Sequence, residues 1–145
     1  MKLLRWARPS AVCLFYAGAV FGFSFIATPA KFFTPGVPMP DLLLVGRTTF
    51  GVFAWVEAAF VLLALVLAFG SRAGRVPVVC IAVFVAVQYL ALRPVLDARV
   101  DAIAGGLSPE PSGLHHVYGV FEMAKLGLLL WIARMPRLSR ADGDG

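Results

Sequence analysis

"LHHVYGVFEMAKLGLLLWIA", residues Leu114 to Ala133, decides how the rest of the chain is read. It is about 20 residues long, the length that carries a helix across the hydrocarbon of a bilayer at 1.5 Å per residue. Its apolar residues do not alternate with polar ones, so it reads as a helix and not as a barrel strand. Yet His115, Tyr118, Glu122 and Lys125 occupy places where leucine would be expected. A helix that must sit in lipid and also carries an acid and a base has to turn them away from the lipid.

Composition makes the membrane reading general. The chain has 145 residues, one domain's worth, of which 60% are hydrophobic and only 14% charged. Soluble domains carry about 25% charged residues. A fold this small has too much surface per unit volume to hide so many apolar side chains from water. Three further apolar runs precede the first: about residues 10–28, 42–70 and 76–92. The predicted fold is an all-α membrane protein, a four-transmembrane-helix antiparallel bundle over residues 1–137. Residues 138–145, "LSRADGDG", read as a disordered cytoplasmic tail. The lipid bilayer is the partner this composition requires.

Basic residues set the direction. Lys2, Arg5, Arg8, Arg72, Arg75, Arg134, Arg137 and Arg140 fall on one side of such a bundle, and Lys31, Arg47, Arg93 and Arg99 on the other. The excess predicts that both termini are cytoplasmic, in a cell inner membrane. The same clustering gives no basic stripe interleaved with exposed aromatics, so nucleic acid is not an expected partner. The first run has the basic start of a signal peptide, but about 19 apolar residues exceed the usual 7–15 of a signal-peptide core. Cys13 and Cys80 lie inside apolar runs and read as small core residues. Gly18 and Gly22 form a GxxxG pattern suited to helix packing within the bundle.

The connectors carry their own signals. "PAKFFTPGVPMPD", residues 29–41, holds four prolines and predicts a stiff extended link, with Asp41 capping the next helix. In residues 93–113, Leu96, Val100, Ile103 and Leu107 recur at helical spacing among Asp97, Arg99 and Asp101. That pattern predicts an amphipathic helical extension after the third span, ended by Gly105-Gly106.

At 100° per residue, His115, Tyr118, Glu122 and Lys125 share one arc of about 80°, while His116 points about 100° away. Arg47 and Glu57 in the second run are also about 80° apart, and the third run carries Gln88. Measured along the helices, these groups share the outer half of the membrane. A charge at the bilayer centre costs roughly 2.5–3.5 kcal/mol even on the lenient insertion scale. The expected arrangement pairs Lys125 with Glu122 or Glu57, and Arg47 with a remaining carboxylate.

The expected site is therefore one polar cluster of Arg47, Glu57, Gln88, Asp97, Arg99, His115, Tyr118, Glu122 and Lys125. It suits a small polar ligand, an ion or a proton. A purely structural network that fixes helix register is the plainer alternative. A metal- or haem-dependent membrane oxidoreductase is another, and its available ligands are His115, His116, Glu122 and Glu57. Lys125 and Arg47 would repel a cation there, and no HxxxH or ExxH spacing occurs. No cofactor is predicted. No Walker loop, GxGxxG or nucleophile elbow points to an enzyme, and nothing in the sequence sets the oligomeric state.

Three phrases carry a resemblance: "GFSFIATPAKFFTPGVPMPDLLLVGRTTF" with Glu57 beyond it, "LRPVLDARVDAIAGG", and "HHVYGVFEMAKLGLLL". Together they resemble a group of uncharacterised bacterial four-helix membrane proteins, distantly similar to eukaryotic small transmembrane proteins with a domain of unknown function. The likeness covers most of residues 15–130. Its motifs fall on Pro29 to Phe32, on Val45, Gly46 and Arg47, on Leu96, Asp97 and Arg99, and on His115, Tyr118, Glu122 and Lys125. The resemblance implies the fold and the membrane location, and no activity.

Overall fold

The structure is a computed structural model that describes residues 9–68 and 72–135. The described residues form helices and turns without a strand. α1 (Pro9–Phe21) runs on through a π-helical turn, Gly22–Ala27, into a short α2 (Thr28–Ala30) and a 3-10 turn, Lys31–Phe33. α3 (Met39–Ala68) is a single helix. α4 (Arg72–Val87) continues through a second π-helical turn, Gln88–Leu92, into α5 (Arg93–Ala104), and α6 (Leu114–Ala133) closes the bundle. Among the described residues four rods are long and apolar enough to span a membrane: Ser10–Phe33, Met39–Leu67, Gly74–Ala104 and Leu114–Ala133. The protein is a four-transmembrane-helix antiparallel bundle, with α5 as the helical extension of the third span.

Two boundaries differ from the sequence expectation. The first rod ends at Phe33, not near residue 28, so the proline-rich link shrinks to the turn after it. Pro29 follows directly on the π turn within the same rod. Helix α3 starts at Met39, which puts Asp41 inside its first turn. There its carboxylate faces the positive end of the helix without being the cap. The third span carries on through α5, the helical extension expected after it. A Schellman motif ends α5: Gly106 at φ +83° donates to the Ile103 carbonyl, and Leu107 donates to the Ala102 carbonyl.

The two π turns share a setting. Each ends two residues before a proline, Pro29 or Pro94. A proline in a helix has no N–H to donate and its ring collides with the carbonyl four residues back. In both turns the bond pattern slips by one residue: Thr28 N–H bonds to the Phe23 carbonyl and Arg93 N–H to the Gln88 carbonyl. The rod absorbs the proline without breaking, and the wider turn re-aims the side chains on it.

The core sits where α1 and α6 pack against each other and against α3 and α4. Tyr16, Val20, Ile81, Leu129 and Ile132 are its most deeply buried apolar members, with Cys13 among them. Phe15, Trp55, Leu62, Leu90 and Val120 form an outward apolar surface suited to lipid. Gly18 and Gly22 do not bring helices together: a Cβ on either would meet nothing within 4 Å. Tyr16, Ala17 and Val20 take the packed face of α1 instead. The N-terminal basic residues, residues 69–71 and the tail 138–145 with Arg140 and its neighbour Arg137 lie outside the described residues.

Candidate functional site

The nine residues expected to form one cluster divide into two layers. The deeper layer is centred on Lys125, which is fully buried on α6. Its Nζ lies 2.5 Å from Glu57 Oε1 on α3 and 2.8 Å from Glu122 Oε1 one turn back on α6. Tyr16 on α1 donates its hydroxyl to Glu57 Oε1 at 2.8 Å, and Tyr89 donates to Glu57 Oε2 at 2.8 Å. Glu122 accepts from Gln88 Nε2 at 2.7 Å and from Ser24 Oγ at 3.0 Å. All four rods thus contribute to one ion-pair network, as hydrocarbon demands of buried charge.

The π turns supply three of these donors. Ser24 lies in the first, and Gln88 and Tyr89 lie in the second. Neighbouring residues on a regular α-helix point about 100° apart. In the wide turn the pair Gln88 and Tyr89 serves Glu122 and Glu57, the two acids that flank Lys125. Gln88 Oε1 is buried and has no hydrogen-bond partner among the described residues.

Formally the network holds two carboxylates and one ammonium. Removing one negative charge leaves a balanced pair. Glu122→Gln should therefore change unfolding free energy by no more than about 1 kcal/mol, because the Glu57–Lys125 pair survives and the amide oxygen still accepts. Unfolding in mixed micelles measures this. A loss as large as that of removing Lys125 would contradict it.

The shallower layer is a cavity of about 220 Å³ at the end of the bundle that carries the 34–38 and 105–113 connections. Arg47, Asp97, Arg99, His115 and Tyr118 all line it, and so do Lys31 and Arg93. Arg47 is paired with Asp101, and Arg93 with Asp97 one turn along at 3.3 Å. Arg99 donates to the backbone carbonyl of Glu110. Lys31 Nζ lies 4.9 Å from the Phe32 ring centroid. Phe50 meets Tyr118 edge to face at 5.5 Å, and these two rings line the cavity on the side of the ion-pair network. Phe50 and Phe53 in turn pack on Phe23.

Two glycines of α3 make room for cations. A Cβ at Gly46 would collide with Lys31 Nζ, and one at Gly51 would lie 2.9 Å from Arg93 Nη2. Both cationic ends therefore rest against bare helix backbone.

Of the residues expected from sequence, Glu57, Gln88, Glu122 and Lys125 share the ion-pair network, and the other five line the cavity. His116 is exposed and joins neither. Glu57 and Glu122 do not meet a histidine as a ligand set, and Lys125 Nζ stands between them. Among the described residues no three of His, Cys, Asp and Glu come together as a metal site. Sequence reading missed Tyr16, Ser24 and Tyr89 as network members, and it treated Lys31 and Arg93 only as topology charges. Tyr16, Val20 and Ser24 fall at four-residue intervals on one face of the first rod, a signal that was present but unused. No family model, curated protein or solved structure matches this chain.

Proposed function

We propose that this membrane protein binds a small polar ligand in the cavity formed by the start of α3, the length of α5 and the start of α6, above the buried ion-pair network. The observation that carries this reading is the cavity's lining: Lys31, Arg47, Arg93 and Arg99 converge on one space. A bundle needing only solubility at its rim would send such long side chains outward to water. The orientation from basic residues puts both termini in the cytoplasm and opens the cavity to the opposite side of an inner membrane. Membership of the bacterial four-helix group belongs to the same proposal.

A proton path through the membrane draws less support. Beyond the network, Cys13, Ala17, Ile81, Leu129 and Ile132 form a continuous buried apolar layer. A metal- or haem-dependent oxidoreductase also draws less, because the Lys125 ammonium already occupies the place between the two carboxylates. A purely structural role fits the network but leaves the inward cations of the cavity without a reason.

Cysteine labelling tests the reading. Ser112 lines the cavity and is exposed. Ser112→Cys, with both native cysteines replaced, should react with a membrane-impermeant maleimide added to intact cells. A saturating ligand found in a thermal-shift panel of small polar solutes should slow that reaction at least threefold. Labelling only after permeabilisation would contradict the orientation, and a panel without any stabilising solute would contradict the binding reading.

A further inference from the structure

Resting on the ligand-binding reading above, we infer that the ligand is an amphiphilic oxyanion: a phosphate or carboxylate group on a short apolar chain. Charge comes first. Asp101 answers Arg47 and Asp97 answers Arg93, but among the described residues no carboxylate ion-pairs with Lys31 or Arg99. Arg99 has only a backbone carbonyl, from Glu110, and Lys31 has a ring face. The cavity thus carries a formal excess of two positive charges, four cations against the two paired acids, with histidine counted as neutral.

These charges are held and not merely present. The notch at Gly46 seats Lys31 Nζ against α3, and the notch at Gly51 seats Arg93. Arg93 also lies over the Tyr89 ring at 5.6 Å. An Arg fork and a Lys point charge are the two usual partners of a phosphate or carboxylate. The start of α6 adds to the same side: Ser112 and His115 line the cavity, and no acidic side chain or side-chain cap occupies that helix's first turn. A helix N-terminus without a cap favours an anion near it.

The rest of the lining is apolar. Phe32, Leu43, Phe50, Leu96, Val100 and Ile103 surround the cations. An inorganic anion would leave this surface unused, and a neutral apolar molecule would leave two charges unanswered. The volume of about 220 Å³ falls below the roughly 300–1,000 Å³ of drug-sized sites, which favours a head with a few carbons inside the cavity. A soluble short-chain phosphate or carboxylate has this chemistry. So does the head of an anionic phospholipid whose tails remain in the bilayer.

The test uses the whole protein in a neutral maltoside detergent, with thermal unfolding as the readout. Hexyl phosphate should raise the midpoint at concentrations at least tenfold lower than inorganic phosphate requires, and hexanol and hexylammonium should not raise it. Lys31→Met and Gly46→Val should each weaken the hexyl phosphate response at least fivefold. The first removes a cation, and the second evicts the same cation while retaining it in the chain. Either variant that melts like the parent without ligand serves as the test. Phosphatidic acid reconstituted with the protein in phosphatidylcholine discs separates the sources. Competition with hexyl phosphate assigns a lipid head, and absence of competition assigns a soluble ligand. Stabilisation by hexylammonium or hexanol equal to that by hexyl phosphate would overturn the anionic class while leaving ligand binding intact. No response to any solute, together with an unprotected cysteine at position 112, would overturn both.

Discussion

Replacing Lys125 with methionine is expected to cost about 3–5 kcal/mol of unfolding free energy, because it leaves buried carboxylates without their cation. Lys125 is fully buried and touches both Glu57 and Glu122. Methionine fills much the same volume, so little of the loss is packing. In hydrocarbon no water enters to screen the two acids, and each becomes costly to keep. Chemical unfolding in mixed micelles measures the loss. A companion variant with Glu57→Gln, Glu122→Gln and Lys125→Met should regain most of it, since a neutral core of the same shape has no unpaired charge. If the triple variant is as unstable as the single one, the cost arises from shape and not from charge.

Leu129→Ala is the second large effect, at about 2 kcal/mol. Leu129 is 1% exposed, among Ile132 and the apolar residues of α1 and α4. In a soluble protein such a change removes transfer energy and opens a cavity, at 2–5 kcal/mol. In a membrane the separated helices stay in lipid tails as apolar as leucine, so the transfer part vanishes. Lost packing remains, and that places the cost at the low end of the range. Leu130, the next residue, is 42% exposed and faces outward. Leu130→Ala should change stability by less than about 0.5 kcal/mol. Equal losses at the two positions would mean that the packed face of α6 is misassigned.

The sequence and the structure agree best on α6. Its hydrocarbon length, its polar arc and the inward turn of Tyr118, Glu122 and Lys125 all follow from helical spacing and the cost of charge in lipid. The pairing of Lys125 was legible in part: it bonds both Glu57 and Glu122, so Arg47 pairs with Asp101 and not with a remaining carboxylate of the network. The π turns were not. A proline in a rod signals a disturbance, but whether the chain breaks, kinks or slips by one residue depends on what its neighbours bond to. Here Gln88 and Tyr89 are both anchored by acids from other helices, which favours slipping.

The cavity was legible only in part. Arg47, Asp97, Arg99, His115 and Tyr118 drew attention by their positions. Lys31 and Arg93 read from the sequence only as charges that set topology, because a count of basic residues carries side but not direction. Their inward course depends on Gly46 and Gly51, each on a different helix from the cation it admits. Such a relation between distant residues has no signature in spacing along the chain. The division of one expected cluster into an ion-pair network and a cavity has a similar origin: Phe50 and Tyr118 come together between the layers only when α3 and α6 pack.

The most direct test of the account is a double-mutant cycle between Glu57 and Lys125, made with Glu57→Gln and Lys125→Met and read by reversible unfolding in mixed micelles. Neutral interhelical hydrogen bonds in membranes couple by about 0.6 kcal/mol on average. A buried ion pair holding α3 to α6 should couple by roughly 2 kcal/mol or more. Losses that simply add would contradict the account, since they would mean that the acid at position 57 and the base at position 125 do not meet inside the bundle.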